Sequence, residues 1–366
     1  MKVLAVVGAR PNFVKTAPVM AELARQHPEW QRVLVHTGQH YDRMMSAVFL
    51  EQLGVGEPDY MLGVGGGSHA VQTARVLERI ESVLEQEQPD VVIVPGDVNS
   101  TLAATLAAAK LCIPLAHLES GLRSFDRTMP EEINRIVADE FADILLLHSD
   151  EAVDNLRAEG IADSRMHFVG NTMIDSLVAM EDIFRNARAA ERFGATAGHF
   201  LLVTLHRPAL VDGPLLPVVL SRLGEVAREL PVIFPVHPRT RRQIEGIKLA
   251  PGITVIDPVG YLDFLSLEAD AAAVLTDSGG VQEETTYLGV PCFTLRNNTE
   301  RPVTVRAGTN TLLGLDPERI RDIPSALDPK LAAAAPEPPP LWDGRAAGRV
   351  VTVLEQTLGD RASLAA

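Results

Sequence analysis

Short apolar segments alternate with helical patterns along most of the chain. In the first half, the apolar segments lie at residues 3–8, 32–38, 90–97, 113–120, 143–149 and 167–171. Between them, apolar residues recur at helical spacing, as in Val76, Leu77, Ile80, Val83 and Leu84. Strands that are apolar on both faces and joined by helices are typical of a parallel, doubly wound sheet.

The same alternation begins again with apolar segments at 200–206, 231–237, 252–257, 272–278 and 290–296. A chain of 366 residues is also long for a single core. We therefore predict an α/β protein with two Rossmann-like, doubly wound parallel-sheet domains that face each other across a cleft. The predicted domains are residues 1–171 and 172–346, and a final helix near 347–366 can pack back on the first.

Composition narrows the function classes. The net charge of −15 and the aromatic content of 5% argue against nucleic acid and anionic membranes as partners. No apolar run is long enough to span a bilayer, and the N-terminal run resembles a first strand more than a signal peptide. Cys112 and Cys292 lie in apolar surroundings and are predicted to be buried, reduced thiols. These features favour a cytoplasmic protein.

Acidic residues collect where predicted strands end. Asp97 and Glu119 end two strands, and Glu131 follows in the stretch HLESGLRSFDRTMPEEINR, residues 117–135. In parallel sheets, ligands bind beyond the carboxyl ends of the strands. Three carboxylates at one edge would repel each other unless their pKa values separate, as acid–base catalysis requires.

A structural interpretation of the same stretch is also specific. Thr128-x-x-Glu131 matches a capping box, Pro130 suits a first helical turn, and Arg135 lies one turn beyond Glu131. The helical pattern predicts a buried stripe of Ile133, Ile136, Val137, Phe141 and Ile144. It predicts that Glu131, Glu132, Arg135 and Asp139 lie off the core.

Basic and glycine-rich clusters occupy other strand ends. Arg10 and Lys15 follow the first strand, and His206-Arg207 and His237-Pro238-Arg239 end strands of the second domain. Ser278 can cap a helix that begins with Gly279 and Gly280, whose free N–H groups suit a phosphate, while Glu284 can accept ribose hydroxyls. A G-x-G-x-x-G motif and metal-ligand spacings are both missing, so neither a dinucleotide cofactor nor a metal is expected.

At these residues the sequence resembles a known family. The segments GARPNFVKTAPV, HTGQHYD, GDVNSTLAAT, HLESGLRS, MPEEINR, VGNTMIDSL, TLHR, PVHPRT, TDSGGVQEE and NNTERP occur in the order typical of the non-hydrolysing UDP-N-acetylglucosamine 2-epimerases. The resemblance extends from residue 3 to about residue 315. It implies the two-domain architecture of the GT-B glycosyltransferases, a homodimer and a UDP-sugar substrate that the second domain helps to bind.

The resemblance also implies residue roles. Asp97, Glu119 and Glu131 match the family's catalytic acids, and His206 matches its catalytic or phosphate-facing histidine. The expected substrate-binding residues are Arg10, Lys15, Arg135, Ser278, Gly279, Glu284 and Arg301, to which the strand-end clusters add His237 and Gly280. The implied reaction is reversible C2 epimerisation of UDP-N-acetylglucosamine (UDP-GlcNAc) to UDP-N-acetylmannosamine (UDP-ManNAc), with no cofactor, as a step of polysaccharide biosynthesis.

Several alternatives stay open. The short loop SFDRTM, residues 124–129, is similar to relatives that act on other UDP-acetamido sugars, including diacetamido uronic acids. A hydrolysing epimerase and, more distantly, a GT-B glycosyltransferase are further candidates. The family pattern of a regulatory UDP-sugar site is altered here, with Asp42 in place of a glutamine and glycines at 65–67 where a basic residue is expected. In addition, Pro208 stands where a second arginine often follows the His-Arg pair.

Overall fold

The computed structural model of this protein describes residues 1–38, 56–236, 238–327 and 338–365. The chain forms two compact units: Met1–Ala179 together with Pro340–Ala366, and Met180–Pro339. The first unit continues past the expected boundary at residue 171 because the helix Thr172–Ala179 packs on the helix Arg10–Gln26. The hydroxyl of Ser176 donates to the carbonyl of Val14 at 2.5 Å, which joins these two helices.

The first unit is built on a parallel sheet of seven strands. They are β1 (Lys2–Val7), β2 (Gln31–His36), β3 (Tyr60–Met61), β4 (Val91–Pro95), β5 (Leu115–Ser120), β6 (Ile144–Leu147) and β7 (Met166–Phe168). Their order in the sheet is β3-β2-β1-β4-β5-β6-β7. From β1 the chain adds β2 and β3 on one side and then β4 to β7 on the other side. The strand order therefore reverses between β1 and β4, and folds of this kind bind ligands at that point.

Helices join these strands. They are α1 (Arg10–Gln26), α2 (His69–Glu87), α3 (Asn99–Lys110), α4 (Pro130–Phe141), α5 (Asp150–Ala158) and α6 (Thr172–Ala179), with a 3₁₀ turn at Asp163–Arg165. Strands β4 and β6 are buried along their whole length, which explains their unbroken apolar sequences. Helix α2 buries Val76, Ile80, Val83 and Leu84, as its spacing predicts.

The second unit repeats the design with six parallel strands. They are β8 (Leu201–Thr204), β9 (Val232–Pro235), β10 (Ile253–Ile256), β11 (Ala273–Thr276), β12 (Cys292–Thr294) and β13 (Asn310–Leu312), ordered β10-β9-β8-β11-β12-β13. In this sheet the strand order reverses between β8 and β11, which correspond to β1 and β4 of the first unit. The predicted fold class, two Rossmann-like doubly wound sheets, is confirmed for each unit. Two short edge strands, β3 and β13, were not predicted.

The helices of the second unit are mostly short. They are α7 (Glu181–Ala187), α8 (Ala189–Arg192), α9 (Pro208–Val211), α10 (Leu215–Val226), α11 (Pro238–Ile244), α12 (Tyr261–Asp270), α13 (Gly279–Leu288), α14 (Pro302–Arg306) and α15 (Ile323–Ala326), with a 3₁₀ turn at Pro317–Asp322. Apolar side chains of α10, including Leu216, Val219 and Leu223, share a core with β8 and β9.

The last helix, α16 (Ala346–Ala365), belongs to the first unit. Its residues Val350, Val351, Leu354 and Leu358 join the apolar core formed by β1 and α1. Asp175 accepts hydrogen bonds from the N–H groups of Ala346 and Ala347 at 3.1 and 2.6 Å, which satisfies the amino end of the helix.

The two cysteines differ from each other. Cys292 is buried in β12, and burial raises the pKa of its thiol to about 12. Cys112 is exposed, so the prediction that it is buried is wrong. It lies in the turn after α3, before β5 begins, with φ of 55°. None of the described helices is long and apolar enough to cross a membrane.

Candidate active site

The turn after β4 carries Asp97 at the carboxyl edge of the first sheet. Gly96 has φ of 60°, a left-handed value that glycine adopts without strain. A Cβ at this position would lie 3.2 Å from Glu119 Oε2 and 3.3 Å from Lys15 Nζ. The backbone beside Asp97 is therefore in close contact with the side chains of two other predicted site residues.

Glu119 owes its position to an irregularity in β5. Pairing of β5 with β6 shifts register between Leu118 and Ser120, so that Glu119 forms a bulge with φ of 68°. Positive φ is costly for a residue with a side chain, and bulges and strain of this kind concentrate at functional sites because they redirect a side chain. The Glu119 carboxylate is buried and forms an ion pair with the equally buried Lys15 of α1.

Asp97 has a cationic partner of its own. Its carboxylate pairs with Arg135 of α4, whose second terminal nitrogen donates to Glu132 Oε2 at 2.7 Å. The repulsion expected between Asp97 and Glu119 is thus offset by two buried cations, Lys15 and Arg135. Because each ion pair is mostly removed from water, breaking one would leave an uncompensated charge.

Helix α4 buries the side that the sequence pattern predicts to be exposed. Ile133 and Phe141 are 42% and 50% exposed, whereas Glu132, Arg135 and Asp139 are buried. The predicted apolar stripe is therefore wrong for this helix. Its buried charges are satisfied at the sheet edge: Glu132, for example, accepts from the N–H groups of Ser124 and Phe125 at 2.9 and 2.8 Å. A charged side of the helix thus supports the loop that precedes it.

The capping box predicted for Glu131 is absent from the structure. The residue before the first turn is Met129, and the Thr128 hydroxyl donates instead to Asp126 Oδ1 at 2.6 Å. Glu131 is half-buried on the first turn of α4. Within the described part of the chain it has no hydrogen-bond or ion-pair partner, so its carboxylate is available to a ligand.

In the second unit, His206 and Asp277 form a pair. Strands β8 and β11 run side by side with Thr204 opposite Thr276, which brings the residues that follow them together. His206 Nδ1 lies 2.8 Å from Asp277 Oδ1, while Asp277 Oδ2 accepts from the N–H groups of His206 and Arg207. Although burial favours the neutral acid, the His206 contact and these hydrogen bonds hold the pKa of Asp277 below its usual value.

This contact orients the histidine. Because Nδ1 faces Asp277, Nε2 is the ring nitrogen left for a ligand, and the side chain of His206 is 53% exposed. Asp277 was not among the predicted site residues, although its place at the end of the strand beside β8 could have indicated it. Its role matches that of a carboxylate that fixes a histidine tautomer.

The amino end of α13 follows directly. Ser278 is its N-cap residue, but the predicted side-chain cap is not formed. A Cβ at Gly279 would lie 2.4 Å from Arg301 Nη1, so only glycine leaves room for this guanidinium. The backbone N–H groups of Gly279 and Gly280 lie at the amino end of the helix, beside the guanidinium of Arg301, an arrangement that suits a phosphate.

Two further acids hold Arg301 in place. Its Nη1 donates to Glu300 Oε1 at 2.6 Å and its Nε lies 2.9 Å from Glu283 Oε2. Glu300 also accepts from the buried Arg296 at 2.7 Å. Glu283, Glu300 and Arg296 were not predicted as site residues. In sequence they are ordinary surface types, and only their burial shows that they support Arg301.

Glu284 lies on the second turn of α13 and is buried. It accepts a hydrogen bond from the Tyr261 hydroxyl at 2.7 Å. Below it, Glu268 of α12 is fully buried, and burial together with the charge of Glu284 raises the pKa of Glu268 well above its usual value. The ribose-binding role of Glu284 stays a prediction.

Arg10 and His237 are two predicted binding residues whose side chains the structure does not describe. Arg10 is the first residue of α1, directly after the loop that ends β1. His237 lies outside the described residues, as does Asp42 of the altered regulatory pattern. The structure therefore brings together Lys15, Asp97, Glu119 and Arg135 in the first unit. In the second unit it brings together His206, Ser278, Gly279 and Arg301.

Comparison with known proteins points in one direction. A family model described as UDP-N-acetylglucosamine 2-epimerase matches residues 22–355. A UDP-N-acetylglucosamine 2-epimerase of Methanococcus maripaludis is 42% identical over 87% of this chain and 89% of its own length. A UDP-2,3-diacetamido-2,3-dideoxy-D-glucuronate 2-epimerase of Pseudomonas aeruginosa is 45% identical over 86% of this chain and 88% of its own.

Among solved structures, the chain is similar to the crystal structure of Methanocaldococcus jannaschii UDP-GlcNAc 2-epimerase in complex with UDP-GlcNAc and UDP. The TM-score is 0.86 at 38% identity, and the match covers 97% of this chain and all of the other. The likeness therefore extends over both units rather than over one nucleotide-binding module.

Proposed function

The chain belongs to the UDP-N-acetylglucosamine 2-epimerase family, and from that premise we propose that it interconverts UDP-GlcNAc and UDP-ManNAc without releasing the free sugar. The observation that carries this proposal is the pair of buried acid–base contacts, Lys15 with Glu119 and Arg135 with Asp97, beside the turn at Gly96. A module that only bound a nucleotide sugar would not need acids placed in this way.

The chemistry explains the residue types. The C2 proton of an N-acetyl sugar has no neighbouring carbonyl to acidify it, so its removal is coupled to departure of UDP from C1. A carboxylate takes the C2 proton, the C2–H electron pair forms the C1=C2 bond, and the C1–O electron pair leaves with UDP. The product of this anti elimination is 2-acetamidoglucal. Re-addition of UDP, with a proton delivered to the other face of C2, gives the epimer.

Acids are needed on two faces of the sugar ring, and the first unit supplies three candidates. Asp97 and Glu119 are held in place by ion pairs with Arg135 and Lys15, while Glu131 has no partner among the described residues and is available to the sugar. We assign proton transfer at C2 to this set. The elimination is redox-neutral and requires no redox cofactor.

The second unit is suited to the leaving group. UDP departs as an anion, and the amino end of α13 with Arg301 offers N–H groups and positive charge to its phosphates. His206, oriented by Asp277, can donate from Nε2 to the developing charge. Glu284 is assigned to the ribose hydroxyls. Arg10 and His237 are assigned to the UDP-sugar from the resemblance alone.

A second substrate deserves a test because of one relative. The Pseudomonas aeruginosa protein that is 45% identical is named for a diacetamido glucuronate, whose ring carries a second acetamido group and a carboxylate. The short loop at residues 124–129 is held through Glu132 and lies next to the candidate acids. This loop is where we expect the choice between the two sugars to be made.

The proposal is tested by incubating the pure protein with UDP-GlcNAc in D₂O without an acceptor and following the mixture by NMR. We expect deuterium at C2 of both epimers, with UDP still attached in the equilibrated pool. Epimers without deuterium at C2 would exclude the elimination route. Free N-acetylmannosamine would indicate a hydrolysing enzyme, and turnover only of the diacetamido uronate would replace the substrate.

The proposal also includes the oligomeric state and the cellular location of the protein. We propose a homodimer in which a second copy covers the apolar side of α4, because Ile133 and Phe141 are exposed there. Phe141→Glu should then give a monomer by sedimentation velocity, whereas a monomeric parent protein would contradict the proposal.

We also propose a cytoplasmic location, since both cysteines are free thiols.

A further inference from the structure

A buried histidine in β5 faces two acceptors. His117 is completely buried, with Nδ1 2.6 Å from Asp139 Oδ1 and Nε2 2.7 Å from the carbonyl oxygen of Gly96. A carbonyl oxygen can only accept a hydrogen bond. An ionised carboxylate can likewise only accept one. Both ring nitrogens must therefore carry protons, which makes His117 an imidazolium cation inside the core.

The surroundings balance this charge. Asp139 Oδ2 accepts from the N–H of Gly121 at 3.1 Å and from Arg123 Nη1 at 2.7 Å. Arg123 also forms a two-point ion pair with Glu159, through contacts of 2.7 and 2.6 Å. Although burial opposes ionisation, His117 and Arg123 keep the pKa of Asp139 below its usual value. Two cations and two carboxylates make a neutral network, which a neutral His117 would leave with one unmatched negative charge.

The other end of the histidine reaches the turn of Asp97. Three successive carbonyls of this turn each accept from buried side chains of other elements. The Pro95 carbonyl accepts from Asn12 at 3.1 Å and from Thr101 at 2.7 Å. The Gly96 carbonyl accepts from His117, and the Asp97 carbonyl accepts from Asn134 at 2.8 Å. Of these donors, His117 is the one that carries a charge.

We propose that His117 is a positioning residue for the epimerisation: its Nε2–H···O=C bond to Gly96 fixes the turn that places Asp97 between Arg135 and the substrate. A turn built around a left-handed glycine has few intrinsic constraints, and a cationic donor gives a stronger hydrogen bond than a neutral one. His117 does not touch the substrate in this proposal, which rests on the epimerase function proposed above.

Direct observation of the ring protons tests the protonation state without any assay. We expect ¹⁵N-histidine-labelled protein to show two slowly exchanging ring N–H protons for His117 at neutral pH, assigned by their loss in His117→Gln. A single ring proton would overturn the proposal. This measurement also remains informative if the protein fails to epimerise UDP-GlcNAc, because it does not depend on turnover.

Kinetics test the positioning role. In His117→Gln we expect kcat to fall by about 10–100-fold, the scale on which small misplacements of catalytic groups act. KM should change little, and C2 deuterium incorporation should fall in parallel with kcat. The matched control is His27→Gln, which removes a histidine that stacks on Trp30 in the same unit and should leave kcat unchanged. Full turnover in His117→Gln, with an active parent protein, would overturn the role.

Asp139→Asn separates the contact from the charge. Because Gly121 and Arg123 both donate to the Oδ2 position, the amide oxygen of the variant should occupy it and turn the amide nitrogen toward His117 Nδ1. The ring then loses its Nδ1 proton but keeps the Nε2–H bond to Gly96. We expect one ring proton to remain and kcat to fall less than in His117→Gln. An equal fall in both variants would show that the cation, and not the Gly96 contact, is what matters.

Discussion

The two sheets share one strand order but differ in what lies at their carboxyl edges. In the first unit, the turns after β4 and β5 present carboxylates, each held by a buried cation: Asp97 by Arg135 and Glu119 by Lys15. In the second unit, the turns after β8 and β11, the strands that correspond to β1 and β4, present a histidine and a glycine-rich helix terminus. In the proposed function, the same scaffold therefore carries proton-transfer groups on one sheet and anion-binding groups on the other.

The buried charges of the two units have different partners. In the first unit, the candidate acids Asp97 and Glu119 each pair directly with a buried cation. In the second unit, Asp277 contacts His206 and Glu283 contacts Arg301, and these are the groups that we propose meet the ligand. The comparison predicts that changes in the first unit lower kcat, while changes in the second mainly weaken UDP binding.

The largest effect is expected from substitutions of the candidate acids at the carboxyl edge of the first sheet. Asp97→Asn, Glu119→Gln and Glu131→Gln should each lower kcat by about 10²-fold or more, because each removes a group that transfers or stabilises a proton. UDP affinity, measured by calorimetry, should largely persist. The control is Asp163→Asn, which removes an exposed carboxylate paired with Arg157 in the same unit and should leave kcat unchanged.

Glu131 is the informative member of this set. It occupies the first turn of α4, where a carboxylate also stabilises the helix dipole. If Glu131→Gln lowered the melting temperature and left turnover intact, its role would be to support the helix, and the catalytic set would shrink to Asp97 and Glu119.

A smaller effect, on UDP binding, is expected from a substitution at the carboxyl edge of the second sheet. In Gly279→Ala the new methyl group would meet Arg301 Nη1 at 2.4 Å, so the guanidinium must move away from the helix terminus. We expect the Kd for UDP to rise by about tenfold, equivalent to about 1.4 kcal/mol, with a smaller change in kcat. Gly260→Ala is the control, since a Cβ there meets open space. A large loss of kcat with an unchanged Kd would contradict the assignment of proton transfer to the first unit and UDP binding to the second.

The fold was predictable because parallel strands buried on both faces have continuous apolar sequences. β4 and β6 are clear examples. The short edge strands β3 and β13, of two and three residues, carry too little pattern to identify. Helix α4 was predicted in the wrong orientation because amphipathicity assigns apolar residues to the core, whereas its inner side is charged and hydrogen-bonded to the sheet edge.

The site was predictable only as a set of residue types at strand ends. Asp97 and Glu119 lie at such ends, Lys15 lies in the helix that follows the first strand, and the structure brings the three together. The partners that fix them are distant in sequence. His117 and Asp139 are separated by a loop and most of a helix, and the positive φ of Glu119 arises from a register shift that no local pattern reveals. Local sequence shows which groups are present, and long-range packing decides their partners.

The smallest expected effect concerns stability. It involves a buried carboxylate that, unlike Asp97 or Glu119, has no cationic partner among the described residues. Glu268 is fully buried in the second unit, and neither carboxylate oxygen has a hydrogen-bond partner among the described residues. Burial and the charge of Glu284 raise its pKa well above the usual value. The folded protein therefore keeps a proton that the unfolded chain releases, and stability falls as pH rises from the ordinary glutamate range toward the raised pKa. Glu268→Gln removes this titration, so the melting temperature of the parent protein should fall relative to that of the variant as pH rises above the ordinary glutamate range. The exposed Glu229→Gln should follow the parent curve, and a variant difference independent of pH would show that Glu268 is ionised in the folded protein with a partner of its own.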